Sequence, residues 1–150
     1  MPLSPQGLFL MRLAILQSLQ TQLGTITTAN GYSTDIGQNV EYWDVYPDDY
    51  NGPPAIAFRD TDTEYERINQ NYQQKVNVEL SAFSWTTKEN KLVDSCNLLE
   101  DLYQAVVVEP WDSNVIAVRA MRDSKIIAAK GKQGILVELS VEIEYRQRGR

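Results

Sequence analysis

Apolar residues recur at steps of three and four from the start of the chain: Leu8, Met11, Ile15, Leu19 and Leu23, with Leu16 widening the stripe. That spacing predicts a helix with one buried face. Ser4-Pro5 supplies a hydroxyl N-cap and a proline at the first helical position, and Gly24 a C-cap. A second stripe, Leu92, Cys96, Leu99, Leu102, Tyr103 and Val106, begins after Thr86-Thr87-Lys88-Glu89 and ends before Pro110. Elsewhere the period is two. Tyr72, Val76, Val78, Leu80 and Ala82 alternate with Gln73, Lys75, Asn77, Glu79 and Ser81, with Gln74 and Phe83 out of step. In the last element Ile135, Val137, Leu139, Val141, Ile143 and Tyr145 are apolar, and only Leu136 interrupts the polar set Glu138, Ser140, Glu142, Glu144 and Arg146. Alternation of this kind marks a half-buried strand.

Shorter strands are expected at Asn39 to Val45, Ala55 to Phe58, Val115 to Met121 and Lys125 to Lys130. The last two would be joined at Asp123-Ser124. Tyr46 to Pro54 is turn-rich, Asp60 to Asn71 reads as the polar tip of a long hairpin, and Gly131 to Gly134 as a turn. The predicted order is α-β-β-β-α-β-β-β. Two amphipathic helices need an apolar surface, which one face of a mostly antiparallel sheet supplies. The expectation is a single α+β domain over residues 1–150, with both helices on one face of the sheet.

Composition narrows the chemistry. The 150 residues carry 14 basic and 20 acidic side chains, a net charge of −6, which disfavours gripping nucleic acid by its phosphates. Acid dominates residues 1–75, with 9 acidic against 4 basic side chains. In the other half Arg119, Arg122, Lys125, Lys130 and Lys132 gather around the single acid Asp123. The chain has no histidine, which removes the commonest general base and the Ser-His and Cys-His nucleophiles. One cysteine, Cys96, allows no intrachain disulfide, and its place on the second stripe predicts a packed thiol. No apolar run approaches the ~20 residues of a membrane-spanning helix. The expected protein is soluble and intracellular when made, without a membrane partner.

Three motifs invite chemistry. Thr27 to Gly37, TTANGYSTDIG, has a phosphate loop's glycines and hydroxyls but no lysine, and a strand rather than a helix follows it. The expected role is local: Gly31 and Gly37 adopt conformations closed to other residues while Ser33, Thr34 and Asp35 bond nearby amides. Asp60, Asp62, Glu64 and Glu66 alternate as calcium ligands can, but Tyr65 and Asn71 stand where an EF-hand needs glycine and glutamate. Asp48-Asp49 and Glu100-Asp101 are adjacent acids that read as a turn and a wet helix surface. No catalytic residue, cofactor site or metal site is expected. Tyr42-Trp43 point to opposite faces of a strand, so Trp43 is a candidate for a second buried surface made with another subunit.

The order of elements, with Asn30-Gly31-Tyr32, Thr34-Asp35 and Gly37, the strand KVNVELSAF, the helix segment NLLEDLYQAV and the final GILVELSVEIEY, resembles the tail terminator (tail completion) proteins of long-tailed bacteriophages. The resemblance runs over roughly residues 5 to 146. It implies a structural, non-enzymatic virion protein, assembled in the host cytoplasm. Six copies would form a ring on the head-proximal end of the tail tube. The ring would stop tube polymerisation, offer a docking surface to the neck or connector protein, and let DNA pass through its centre. It transfers no site residue. The residues themselves nominate surfaces. The hairpin with Asp60, Asp62, Glu64 and Tyr65 would reach a neighbour or the tube protein. Glu138, Glu142 and Glu144 would line the lumen. Arg119, Arg122, Lys125, Lys130 and Lys132 would dock an acidic partner. Each competes with a plain solvated surface. Two rival functions remain: another ring-forming tube or head-tail connector component, and a small acidic enzyme or ligand-binding domain.

Overall fold

The computed structural model describes residues 6–42, 55–68, 71–87, 89–127 and 134–148. Helix α1 spans Gln6–Leu23. Two 3-10 turns, Thr28–Asn30 and Ile36–Gln38, lead to the short strand β1, Val40–Tyr42. Strands β2 (Ala55–Ile68) and β3 (Asn71–Trp85) follow, then helix α2, Lys91–Tyr103, which runs into a π-turn at Gln104–Val108. Strands β4 (Val115–Ile127) and β5 (Gly134–Arg148) complete the chain. The fold is α+β, in the order α-β-β-β-α-β-β.

The five strands lie in the order β1-β2-β3-β5-β4. Only β1 and β2 are parallel; the other three pairings are antiparallel. Strands β3 and β5 pair over their whole lengths, from Asn71 with Arg148 to Trp85 with Gly134. At ~3.3 Å per residue these fifteen-residue strands reach about 50 Å, against ~27 Å for the eighteen residues of α1.

One face of the sheet is apolar and meets the helices. Ile56 and Phe58 of β2, Val76 to Ala82 of β3 at alternate positions, and Ile135 to Tyr145 of β5 at odd positions form one core cluster. Ile15, Leu19 and Leu23 of α1 and Leu98 and Leu102 of α2 close it. The long alternations therefore became long strands for a simple reason: each apolar residue has a partner at the same level on the neighbouring strand.

Two element boundaries and the orientation of one helix differ from the sequence-based expectation. Val115 to Ile127 is one strand, not two: Asp123, Ser124 and Lys125 stay in the ladder opposite Leu139, Glu138 and Val137. Turn-prone side chains were overruled there by an unbroken partner strand. The polar stretch from Asp60 is likewise not a tip. It continues β2 to Ile68, pairing Glu64 with Lys75 and Glu66 with Gln73, after a bulge between Asp60 and Thr63. Finally, the buried face of α2 is turned by about one residue, ~100°, from the expected stripe. Ser95, Leu98, Asp101 and Leu102 are buried, while Leu92, Cys96 and Tyr103 are exposed. Cys96 is an exposed thiol, and Asp101 is not a wet surface acid. Ser4-Pro5, Trp43, Asp48-Asp49 and the rest of residues 46–54, Lys130, Lys132 and the 131–133 part of the expected turn lie outside the described residues.

Candidate interaction surfaces

The TTANGYSTDIG stretch holds its own backbone and borrows one side chain from α2. Asp101, 3% exposed, accepts from the Ser33 amide (3.1 Å), the Thr34 amide (2.8 Å) and the Thr34 hydroxyl (2.6 Å). Asp35 accepts from the Thr28 amide and hydroxyl at 2.8 and 3.1 Å. Gly31 sits at φ +91°, the left-handed conformation expected of it. Gly37 is required for a different reason, close approach. A Cβ there would lie 2.6 Å from the Leu23 carbonyl oxygen and 2.8 Å from the Ile26 amide nitrogen. The stretch thus turns the chain from α1 onto β1; of the side chains expected to bond amides, Asp35 does so, whereas the Thr34 hydroxyl donates to Asp101 and Ser33 engages through its amide.

Beyond the β2 bulge, polar residues enter the helix-facing side of the sheet. Arg12 of α1 is the hub. It donates to the Tyr65 hydroxyl at 2.5 Å and stands 3.7 Å from an oxygen of Asp60. Its guanidinium also lies over the Phe9 and Tyr65 rings at 5.4 and 5.9 Å. Burial works against its charge, but contact with the Tyr145 and Tyr65 phenols more than offsets that and holds its pKa up. Tyr42 donates to Asp60, and its own pKa is pushed up to about 12, first by burial and then by Asp60. Tyr145 is fully buried and donates to Gln74 Oε1 at 2.6 Å. Among the described residues, the Nε of Arg12 and Nε2 of Gln74 have no hydrogen-bond partner.

The remaining candidates divide between the two faces. Glu138, Glu142 and Glu144 stand on the face away from the helices, together with Arg119 and Arg122. Arg119 spans two of these acids, with N···O distances of 3.0 Å to Glu142 and 2.9 Å to Glu144. Glu144, though charged, is buried, and it also accepts from Gln73. Arg59 and Glu79 make a further pair on this face at 3.0 Å. The face is a ladder of cross-strand pairs rather than a row of bare carboxylates. Lys125 lies on the helix side instead, with its Nζ 3.2 Å from the Cys96 sulfur. Asp62 and Glu64 are exposed on the face away from the helices, Asp62 held by Asn77 at 3.1 Å.

Some exposed features went unread in the sequence. Phe9, Leu10 and Leu13 project from α1 at 60, 65 and 50% exposure. The signal was there: residues 8 to 16 are apolar nearly all round, wider than one buried stripe. Ile116 and Met121, on the outer strand β4, are also exposed, as is the nominated Tyr65 on β2. A cleft of about 420 Å³ between α1 and Trp111 is lined by Ala14, Gln17, Ser18, Thr21 and Gln22, with no acid or base among them. Among the described residues no group of three or more His, Cys, Asp or Glu side chains could hold a metal ion, and no helix is long and apolar enough to cross a membrane. No protein-family model matches the chain, and no curated protein matches its sequence.

Proposed function

We propose that the chain is a structural protein of a phage virion that forms a ring, most closely of the tail-terminator kind. One observation carries the reading. Among the described residues α1 and α2 lie on one face of a mostly antiparallel sheet, as expected, and the loop after α1 is tied to α2 through Asp101, which was not expected. The opposite face is a mosaic of paired charges with acid in excess, a surface that does not retain DNA phosphates. It would line the passage, with Glu138, Glu142 and Glu144 toward the lumen. The ring caps the head-proximal end of the tail tube, ends polymerisation and receives the neck. The second reading, another ring-forming tube or connector component, rests on the same architecture and differs in behaviour.

Tube assembly separates the two. Purified tube protein would be polymerised with and without this protein, and tube lengths measured by electron microscopy. A terminator leaves short tubes, each carrying one added ring at one end. Tubes of unchanged length contradict the terminator reading, and stacked rings of this protein alone favour a tube component.

A further inference from the structure

The two sides of the sheet end differently, and the difference is complementary. On one side β1 covers only Ile56 to Phe58 of β2, so among the described residues no strand pairs with β2 beyond that point on this side. Thr61, Asp62, Glu64, Tyr65 and Glu66 are exposed there. On the other side β4 is the last strand, and residues 119–125 are all exposed. The first edge carries Asp62, Glu64 and Glu66 with no base among Thr61 to Glu66. The second carries Arg119, Arg122 and Lys125 around the single acid Asp123. An exposed edge is a template for another strand, and charge on it selects which one.

We infer that these edges pair with each other between copies: the basic strand β4 of one subunit, through Arg119 and Arg122, with Lys125 adding positive charge from the helix side of the same strand, docks along the acidic half of β2 of the next, through Asp62, Glu64 and Glu66. The inference rests on the ring reading above and assigns its subunit interface. Three geometrical facts favour it. Strand direction is the first. β2, β3, β5 and β4 alternate in direction, so β4 runs opposite to β2. Rotation about a ring axis along the strands preserves direction, so β4 meets the neighbour's β2 antiparallel. The second is level. Through the shared ladder, Arg119 stands level with Glu142 and Asn77, and Arg122 with Ser140 and Glu79. Closing a sheet on itself requires a stagger. A stagger of two residues sets Asp62 opposite Arg122 and Glu64 opposite Arg119. One of four sets Glu64 opposite Arg122 and Glu66 opposite Arg119. The third is shape. Both edges bend at a bulge at nearly the same level, between Asp60 and Thr63 on β2 and between Ala120 and Arg122 on β4. The contact is heterologous, as a cyclic ring needs, because each subunit offers two different edges.

A charge-swap cycle tests it in the full chain. One variant carries Asp62→Lys and Glu64→Lys, another Arg122→Glu and Lys125→Glu, and a third all four changes; the Arg119 ion pairs are left intact. Sedimentation velocity at low salt and at about 0.15 M salt reads self-association, and circular dichroism checks that each variant is folded. Each two-residue variant should self-associate at least ~10-fold more weakly, the scale of losing and reversing interfacial charge pairs. The four-residue variant should recover, because the net charge of each edge has changed sign, and an equimolar mixture of the two-residue variants should form rings in which the two alternate, because both edges of each complement the other. Rings that persist unchanged in every folded variant would overturn the edge pairing and leave the ring reading standing. A four-residue variant weaker than either parent variant would also overturn it. A wild-type chain that stays monomeric at every concentration would overturn the assembly itself.

Discussion

Both carboxylate oxygens of Asp101 accept hydrogen bonds from residues 33–34. Asp101→Ala would leave two amides and a hydroxyl without that acceptor, and stability should fall by about 3 kcal/mol in urea unfolding. Asp101→Asn keeps one acceptor oxygen and should lose less. A loss below ~0.5 kcal/mol for the alanine variant would contradict the anchoring role. Gly37→Ala should cost more than Gly31→Ala, since the first drives a methyl against three backbone atoms, the Leu23 oxygen and the Ile26 nitrogen and oxygen, while the second faces open space at a strained φ. The reverse ranking would contradict it. Tyr42 gives a pH prediction. Its folded pKa, about 12, lies above the ~10 of an unfolded tyrosine. The native state holds that proton more tightly, so the contribution is fully present below pH ~10 and is lost as pH rises toward 12. Tyr145 and Tyr32 are raised by burial in the same direction. Urea midpoints should therefore fall through that window, with a shallower fall in Tyr42→Phe; an equal slope in both would contradict it. The residues that broke the sequence patterns prove to be partners. Phe83 and Leu136 are out of step in their own strands but sit opposite each other, packed together on the far face. Gln74 is opposite Tyr145 and accepts its hydroxyl. A period of two exposes such a residue as an exception without saying what meets it, because the partner lies on another strand far along the chain, Leu136 for Phe83 and, 71 residues away, Tyr145 for Gln74.

Helices and strands were legible to different depths. α1, β3 and β5 stood out because their periods run long enough to outweigh single exceptions. α2 was found but misaligned. Its buried face includes Ser95 and Asp101, polar residues whose partners lie elsewhere in the chain or on its own carbonyls, so the apolar residues alone pointed one position away. The orientation has a direct consequence: Cys96, exposed beside Lys125, should react with a thiol reagent in the native protein nearly as fast as in the unfolded chain. Protection of 100-fold or more, as ~3 kcal/mol of opening free energy would give, would return it to the core. β2 and β4 were read too short for one shared cause. Their polar residues face solvent on edge strands, where acid and base replace the apolar alternation that marks a central strand. The candidate acidic and basic positions were visible as charge clusters. That they occupy opposite edges of one sheet was not, because strand order is a tertiary property.

At the scale of the molecule, the helices cover one face of a sheet whose other face is a ladder of charge pairs and whose sides carry opposite charge. Such a body has a covered back, a polar front and two unlike sides, the plan of a ring segment. Ring formation is the central claim, and the size distribution of the purified protein over a wide concentration range tests it most directly. Light scattering would be joined to negative-stain images. The account predicts a stable species near six times 17.1 kDa, seen as single rings that do not stack. Open-ended tubes would contradict the terminator reading in favour of a tube component, and a monomer at every concentration would contradict the ring.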